Sequence, residues 1–342
     1  MTDTVKKDLR SMRHEETVDF LISLGAPKFR GTQVFEWIGK GAENTDMMSN
    51  LPIALRKDID DNAEISGLRL TAIQKSSDGT RKYLFELTDG NTIETVFMKY
   101  SYGNSICISS QAGCRMGCRF CASTRNGLIR SLTAGEMISQ IMEAEKDTGE
   151  KINHIVIMGT GEPFDNYENI SRFLRIVNDK KGKNIGMRNI TVSTCGLAPL
   201  IDKFGDDFAQ VNLAVSLHAP NDEIRSAMMP VNNAYPLKEL ISACRRYTKK
   251  TNRRITFEYT LVNGVNDSDA CAAELINLIG GMLCHVNLIP LNKVLGTGFD
   301  TVSRKRAEEF KDILEKRGIP ATVRRELGSD IDAACGQLRL NR

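Results

Sequence analysis

From about residue 104 the chain alternates short apolar, β-branched runs with longer amphipathic stretches, and this rhythm restricts its fold more than any other feature. The runs predict strands at 105–109, 154–158, 189–193, 211–217, 255–260 and 284–289, with a further short one near Thr322. Helices fill the gaps; over 133–146, Thr133-Ala-Gly-Glu136 reads as a capping box at the start of one. Strands separated by helices pair in parallel through right-handed crossovers. Six such units curl into a partial (βα)6 barrel of the α/β class, with the active site on the loops at the strand C-termini.

A small helical and β accessory domain is expected in front of the barrel. Phe20, Leu21, Ile22 and Leu24 belong to a first helix that breaks at Gly25 and Pro27. Thr32 is placed to cap a second, which carries Val34, Phe35, Trp37 and Ile38 and ends at Gly39 or Gly41. Between 67 and 100 the period changes to two: Tyr83, Phe85 and Leu87 alternate with their neighbours, as do Ile93, Thr95 and Phe97 after Asp89-Gly90. That pattern is a hairpin, with Asp78-Gly79 a second turn before it. The expected division is an accessory domain over 1–99, a core over 100–330, and a tail over 331–342.

With 342 residues, 41% of them hydrophobic, the chain can build a large core, and no stretch approaches the ~20 apolar residues of a membrane span. The polar start, Met1 to Arg13, has no secretory h-region, so a cytoplasmic location is expected. A net charge of +3 does not by itself imply nucleic acid. Local clusters say more: Lys6, Lys7, Arg10 and Arg13, then Arg115, Arg119, Arg125 and Arg130, then Arg324, Arg325, Arg339 and Arg342. Such runs are usually solvated faces, yet their placement around a candidate active-site loop and a tail is compatible with RNA. The nine cysteines are an odd set without a secretory signal, which argues against a disulfide framework. Cys244, Cys271 and Cys284 lie in apolar patterns and read as small buried hydrophobes.

Three more cysteines stand apart. Cys114-Arg-Met-Gly-Cys118-Arg-Phe-Cys121 gathers three thiolates on one short loop. They can hold three corners of an iron–sulfur cube and leave one iron for a substrate, whereas electron-carrying clusters use four cysteines. Structural zinc is the competing reading, but it takes four Cys or His ligands, usually in spaced pairs, and no His lies nearby.

Other candidates follow predicted strands. Gly159-Thr-Gly-Glu-Pro163 lets backbone approach a ligand and projects Glu162, although a plain strand–helix turn reads equally well. Ser193 ends the next strand, Ser216-Leu217-His218 the one after, and Asn292 follows the last long one. A histidine at a barrel mouth favours a site over an inert core position. Cys335, after small residues and before Gly336, suits a nucleophilic thiolate. Cys107 faces either lumen or core, and Glu94, in an alternating strand, would ordinarily be a solvent-face carboxylate.

Taken together, the run from Cys107 to Cys121, Gly-Thr-Gly-Glu162-Pro, Val-Ser193-Thr, Ser216-Leu-His218, the Asn292 segment and Ala-Cys335-Gly-Gln-Leu resemble the radical S-adenosylmethionine RNA methyltransferases of the RlmN and Cfr type. The resemblance extends through the N-terminal helix 29–37, and Pro163 is RlmN-like where Cfr proteins tend to carry Ala. Thr160 departs from the Met of many members. The resemblance implies that Cys114, Cys118 and Cys121 hold a 4Fe–4S cluster whose open iron chelates S-adenosylmethionine. Gly161, Glu162, Ser193, Ser216, Leu217, His218 and Asn292 would bind the rest of that molecule. Cys335 would accept a methyl group, Glu94 would take a proton, and Cys107 would release the product by forming a disulfide with Cys335. The implied substrate is carbon 2 of an adenosine in the peptidyl-transferase centre of 23S rRNA, with an adenosine beside the tRNA anticodon as a second target. A flavodoxin- or ferredoxin-type electron donor and a monomeric state are further expectations. Cfr-type methylation of carbon 8 is the enzymatic alternative; a non-catalytic iron–sulfur or zinc RNA-binding module is the alternative from another class.

Overall fold

A computed structural model describes residues 6–292, 298–325, 327–328 and 331 of the chain. Ten strands form one sheet whose spatial order follows the sequence without a break. They are β1 (Arg69–Lys75), β2 (Arg81–Glu86), β3 (Thr92–Tyr100), β4 (Gly103–Cys107), β5 (His154–Ile157), β6 (Ile190–Thr194), β7 (Asn212–Ser216), β8 (Ile255–Leu261), β9 (Cys284–Pro290) and β10 (Ala321–Val323). Neighbours from β1 to β4 are antiparallel. From β4 onward every pairing is parallel. The mixed α/β architecture is the expected partial barrel with an N-terminal addition. The strand–helix rhythm of the sequence is the rhythm of the structure, each strand lying within about two residues of its expected bounds.

Helices cross over between the parallel strands. The one at Ala134–Thr148 starts with the expected capping box, in which the Thr133 hydroxyl accepts from Glu136 N and the Glu136 carboxylate accepts from Thr133 N. Helix Lys28–Gly39 differs from expectation. It begins after Pro27 rather than at Thr32, because Pro27 already supplies the extended turn-in and the Thr32 hydroxyl is engaged by the His14 ring at 2.9 Å. The two expected hairpin turns fall where Asp78-Gly79 and Asp89-Gly90 stand, at the β1–β2 and β2–β3 connections.

The sheet sorts its side chains by face. Tyr83, Phe85, Ile93, Phe97, Ile106, Ile155, Val192, Val215, Phe257 and Val286 pack under the outer helices in the main core. The alternate positions, which face the lumen, include Lys82, Glu94, Cys107, Ser193, Ser216, Glu258 and Asn287. A polar lumen in an apolar shell leaves room for a polar ligand.

The N-terminal helices have their own core around Phe20, Leu21, Val34, Ile38, Met48 and Ile59. Arg10 fastens it to the barrel. Its guanidinium is buried and donates to the Ser66 carbonyl at 2.7 Å, the Ser139 hydroxyl at 2.8 Å and the Ala42 carbonyl at 2.9 Å. Cys244, Cys271 and Cys284 are buried as expected.

Candidate active site

The loop after β5 is built to lie against the segment after β4. A Cβ on Gly159 would sit 2.7 Å from the Ile108 carbonyl oxygen, and one on Gly161, where φ is +110°, 2.6 Å from Gln111 Cβ. Only glycine fits either place. Ser110 N and Gln111 N donate to the Thr160 carbonyl, while Thr160 N donates to Ser109 Oγ at 3.0 Å. Ser109 Oγ in turn donates to the Glu94 carbonyl at 2.6 Å, so this loop and strand β3 are joined through one hydroxyl.

Glu162 is thereby fixed at the barrel mouth and only 3% exposed. Its N–H donates to Gln111 Oε1 at 2.9 Å. Its carboxylate accepts from Cys195 N at 2.7 Å and Phe164 N at 3.0 Å. Burial pushes the Glu162 carboxyl up, and these donors pull it back toward the anion. The Cys195 and Thr194 side chains also hydrogen-bond this carboxylate, which borders the cavity as an anion that a ligand cation can meet. Glu162→Ala should therefore weaken S-adenosylmethionine binding about tenfold or more, the worth of a charge-assisted hydrogen bond of roughly 1.5–3 kcal/mol. Calorimetric titration of the reconstituted protein reads this, and unchanged affinity would reduce Glu162 to a turn residue.

One cavity of ≈ 990 Å³, mouth included, is bordered by Cys114, Cys118, Cys121, Gly161, Glu162, Ser193, Ser216, His218 and Asn292. Nine of the expected site residues thus share one wall. Leu217 does not; its side chain is in the outer core and its backbone N donates to the Glu258 carbonyl at 3.0 Å. Cys335 lies outside the described residues. The cavity also holds groups the sequence did not single out, Cys195, Glu258 and Thr260, and it takes in Arg324 of the last basic cluster. Glu258 is buried beside Asn287, whose Nδ2 donates to it at 2.7 Å. Behind the site the fully buried Arg225 holds three strand-end carbonyls, those of Cys195, Ser216 and Leu217. Arg225 has no motif around it, and Gln111 sits among the cysteines of the run from Cys107 to Cys121 that draw attention first, which is why neither stands out in the sequence.

His218 has a fixed tautomer. Thr260 N, which can only donate, lies 2.9 Å from Nδ1, so Nδ1 is the acceptor and Nε2 carries the proton. Burial, aided by Arg225, lowers the His218 pKa to about 3. The ring packs edge-on against Phe120 of the cysteine loop, centroids 5.0 Å apart. His218 should stay neutral through the physiological range, and an NMR pH titration assigned with His218→Gln should show no transition near 6.5. Because the unfolded chain protonates this histidine near 6.5, its linkage lowers stability as pH falls from about 6.5 toward 3.

Burial raises the Cys114 and Cys118 thiols, Cys114 to about 12. Unaided they stay protonated at neutral pH, and a bound metal is what would ionise them. Among the described residues no three His, Cys, Asp or Glu side chains converge to hold a single ion. Three thiols from one loop border the cavity, with Cys195 following the neighbouring strand, and the spacing within the loop fits an open iron–sulfur cube better than the spaced ligand pairs of structural zinc. The loop is also tied to its neighbours: Arg115 pairs with Asp165, and Arg119 N donates to the Met228 carbonyl at 2.9 Å.

The adjoining wall corrects one expectation. Glu94 is no solvent-face carboxylate; it is 3% exposed and pairs with Lys82 Nζ at 2.9 Å, itself 7% exposed. The alternation around Glu94 is real, but its polar face meets the lumen instead of water. Cys107 stands opposite Val96, and Val96 opposite Lys82, across three strands, with Glu94 two positions along the same face of β3. Cys107 packs with Val96, Met98 and Met158, and Met158 also borders the cavity.

A partial barrel with a three-cysteine loop at its mouth defines a radical S-adenosylmethionine protein, and the Radical SAM superfamily model matches residues 108–276. The model of the ribosomal RNA large subunit methyltransferase N-terminal domain matches residues 7–65. Probable dual-specificity RNA methyltransferases RlmN of Lachnospira eligens and Alkaliphilus oremlandii are 50% and 52% identical to the chain, covering 97% and 98% of it and 95% and 98% of themselves. The crystal structure of a radical SAM methyltransferase from Sphaerobacter thermophilus superposes with a TM-score of 0.94 at 48% identity, covering 97% of this chain and 99% of that one. The chain belongs to the RlmN family of radical S-adenosylmethionine RNA methyltransferases. Membership implies a 4Fe–4S cluster and S-adenosylmethionine, and no helix among the described residues is long and apolar enough to cross a membrane.

Proposed function

We propose that this protein methylates carbon 2 of one adenosine in the peptidyl-transferase centre of 23S rRNA, and of the adenosine beside the anticodon in tRNA. The observation that carries this reading is the meeting of two constellations. Three thiols and Glu162 share one cavity, and the wall beside it bears Cys107 and the buried Glu94. A plain iron–sulfur or zinc RNA-binding module gives that wall no task.

Cys114, Cys118 and Cys121 would hold the cluster, and Glu162 the ammonium group of the cofactor. Gly161, Ser193, Ser216, Leu217 through its backbone, His218 and Asn292 would orient the rest, His218 as a permanent Nε2–H donor. Bound there, S-adenosylmethionine supplies both a methyl group and, on one-electron reduction, a 5′-deoxyadenosyl radical. Cys335 thiolate takes the methyl group by displacement. After loss of one hydrogen that carbon bonds to the electron-poor ring, and Glu94 takes the ring proton. Cys107 thiolate would then attack the Cys335 sulfur and break its bond to carbon, which takes up a proton to become the methyl group of the freed RNA; the unpaired electron of the adduct leaves to the redox chain, and a Cys107–Cys335 disulfide remains to be reduced to two thiols. Residues 1–99 would contact RNA, residues 100–330 form the catalytic core and 331–342 carry the methyl-accepting thiol. The enzyme would work as a cytoplasmic monomer with a flavodoxin or ferredoxin donor.

Mass mapping of 23S rRNA and tRNA from a strain lacking the gene tests this. The carbon-2 methyl group should vanish and return with the wild-type gene but not with Cys118→Ala. A methyl group restored at carbon 8 would instead establish the Cfr-type reaction.

A further inference from the structure

Beyond β10 the chain turns back across the open side of the barrel. Leu327 packs onto the cluster of Val96, Met98 and Cys107 on the wall beside the cavity. Gly328 N donates to Asp78 Oδ2 at 2.9 Å, a contact spanning 250 positions. Asp78 sits in the turn between β1 and β2 at one end of the sheet, whereas β10 is the strand at the other end. This contact therefore bridges the two sides of the opening.

The acceptor is prearranged. Ser76 N donates to the Thr80 carbonyl at 2.9 Å and Gly79 N to the Ser76 carbonyl at 3.1 Å, with Gly79 at φ +88°. Thr80 N donates to Asp78 Oδ1 at 2.9 Å, which leaves Oδ2 for Gly328. Partial burial would raise the Asp78 carboxyl, but the hydrogen bonds from Gly328 and Thr80 outweigh it and hold the group well below the usual range. On the tail side, Ile331 N donates to the Gly328 carbonyl at 3.1 Å, so the chain turns at this contact.

We propose that Asp78, together with Leu327, anchors the C-terminal tail and so positions Cys335 for its reaction at the cavity. Cys335 lies seven residues past Gly328 and twelve past Val323, the last strand residue. Effective concentration falls roughly as the −3/2 power of tether length or more steeply, so releasing the anchor dilutes Cys335 about two- to fivefold. Asp78 touches neither substrate nor cofactor here; it is a positioning residue. The proposal rests on the reading of Cys335 as the methyl acceptor.

The test uses anaerobic holoenzyme with saturating S-adenosylmethionine and no RNA, quenched at intervals, with methylation of the Cys335 peptide followed by mass spectrometry. Asp78→Ala should methylate about two- to fivefold more slowly than wild type, in line with the longer tether. Its cluster absorbance and S-adenosylmethionine affinity should be unchanged. Asp78→Asn, which keeps an acceptor oxygen, should stay near the wild-type rate, and Leu327→Ala should be slowed. A wild-type rate in both Asp78→Ala and Leu327→Ala overturns the anchor while leaving Cys335 as the acceptor. Loss of cluster in Asp78→Ala with no rescue by Asn also overturns it, since the contact would then be merely structural. A wild-type enzyme whose Cys335 is never methylated overturns the reading of that residue and the anchor with it.

Discussion

Replacing Cys107 by Ala should yield a protein that captures its RNA and fails to release it. Cys107 lies on the same lumen face as Glu94, within a cluster whose Met158 reaches the cavity. It is thus beside the cavity without lining it, the place a resolving thiol would need. Without it, Cys335 can still take a methyl group and the ring can still be attacked, but nothing breaks the sulfur–carbon tether. A denaturing gel with labelled RNA should show a shifted covalent band for Cys107→Ala and none for Cys335→Ala, which never starts. Free methylated RNA at the normal rate from Cys107→Ala would remove Cys107 from the mechanism.

Cys118→Ala should lose both iron and turnover. Cys118 is buried on the cavity, packed with Cys195, Met228, Met229 and Val231. Its loss leaves the loop with two thiols, Cys114 and Cys121. The control is Cys244→Ala, since Cys244 is fully buried in the outer core, away from the cavity. Purified without oxygen, the control should be brown and the Cys118 variant colourless. Full iron and sulfide content in the Cys118 variant would refute the ligand assignment.

The barrel strands were legible because each buries an apolar face under helices, which writes a strong pattern into the sequence. The cysteine loop was legible because its chemistry demands fixed spacing. The lumen was harder to read. Glu94 in β3 has the period of a half-solvated strand, and period alone does not distinguish water from a polar cavity. Lys82 escaped notice for the same reason, 12 positions away with no local link to Glu94. Gln111 and Asp78 serve through contacts that exist only once distant segments meet. Thr32 looked like a helix start because a hydroxyl before an apolar run usually is one, yet Pro27 had already begun the helix.

The pairing of Lys82 with Glu94 carries a consequence for charge. At rest the buried pair is neutral as a unit, so the wall can stand beside an apolar cluster at small cost. Were Glu94 to take the ring proton as proposed, its partner ammonium would lose that counter-charge in a medium that screens poorly. For that one step the wall would carry a net positive charge, and a bound RNA backbone would be drawn toward it.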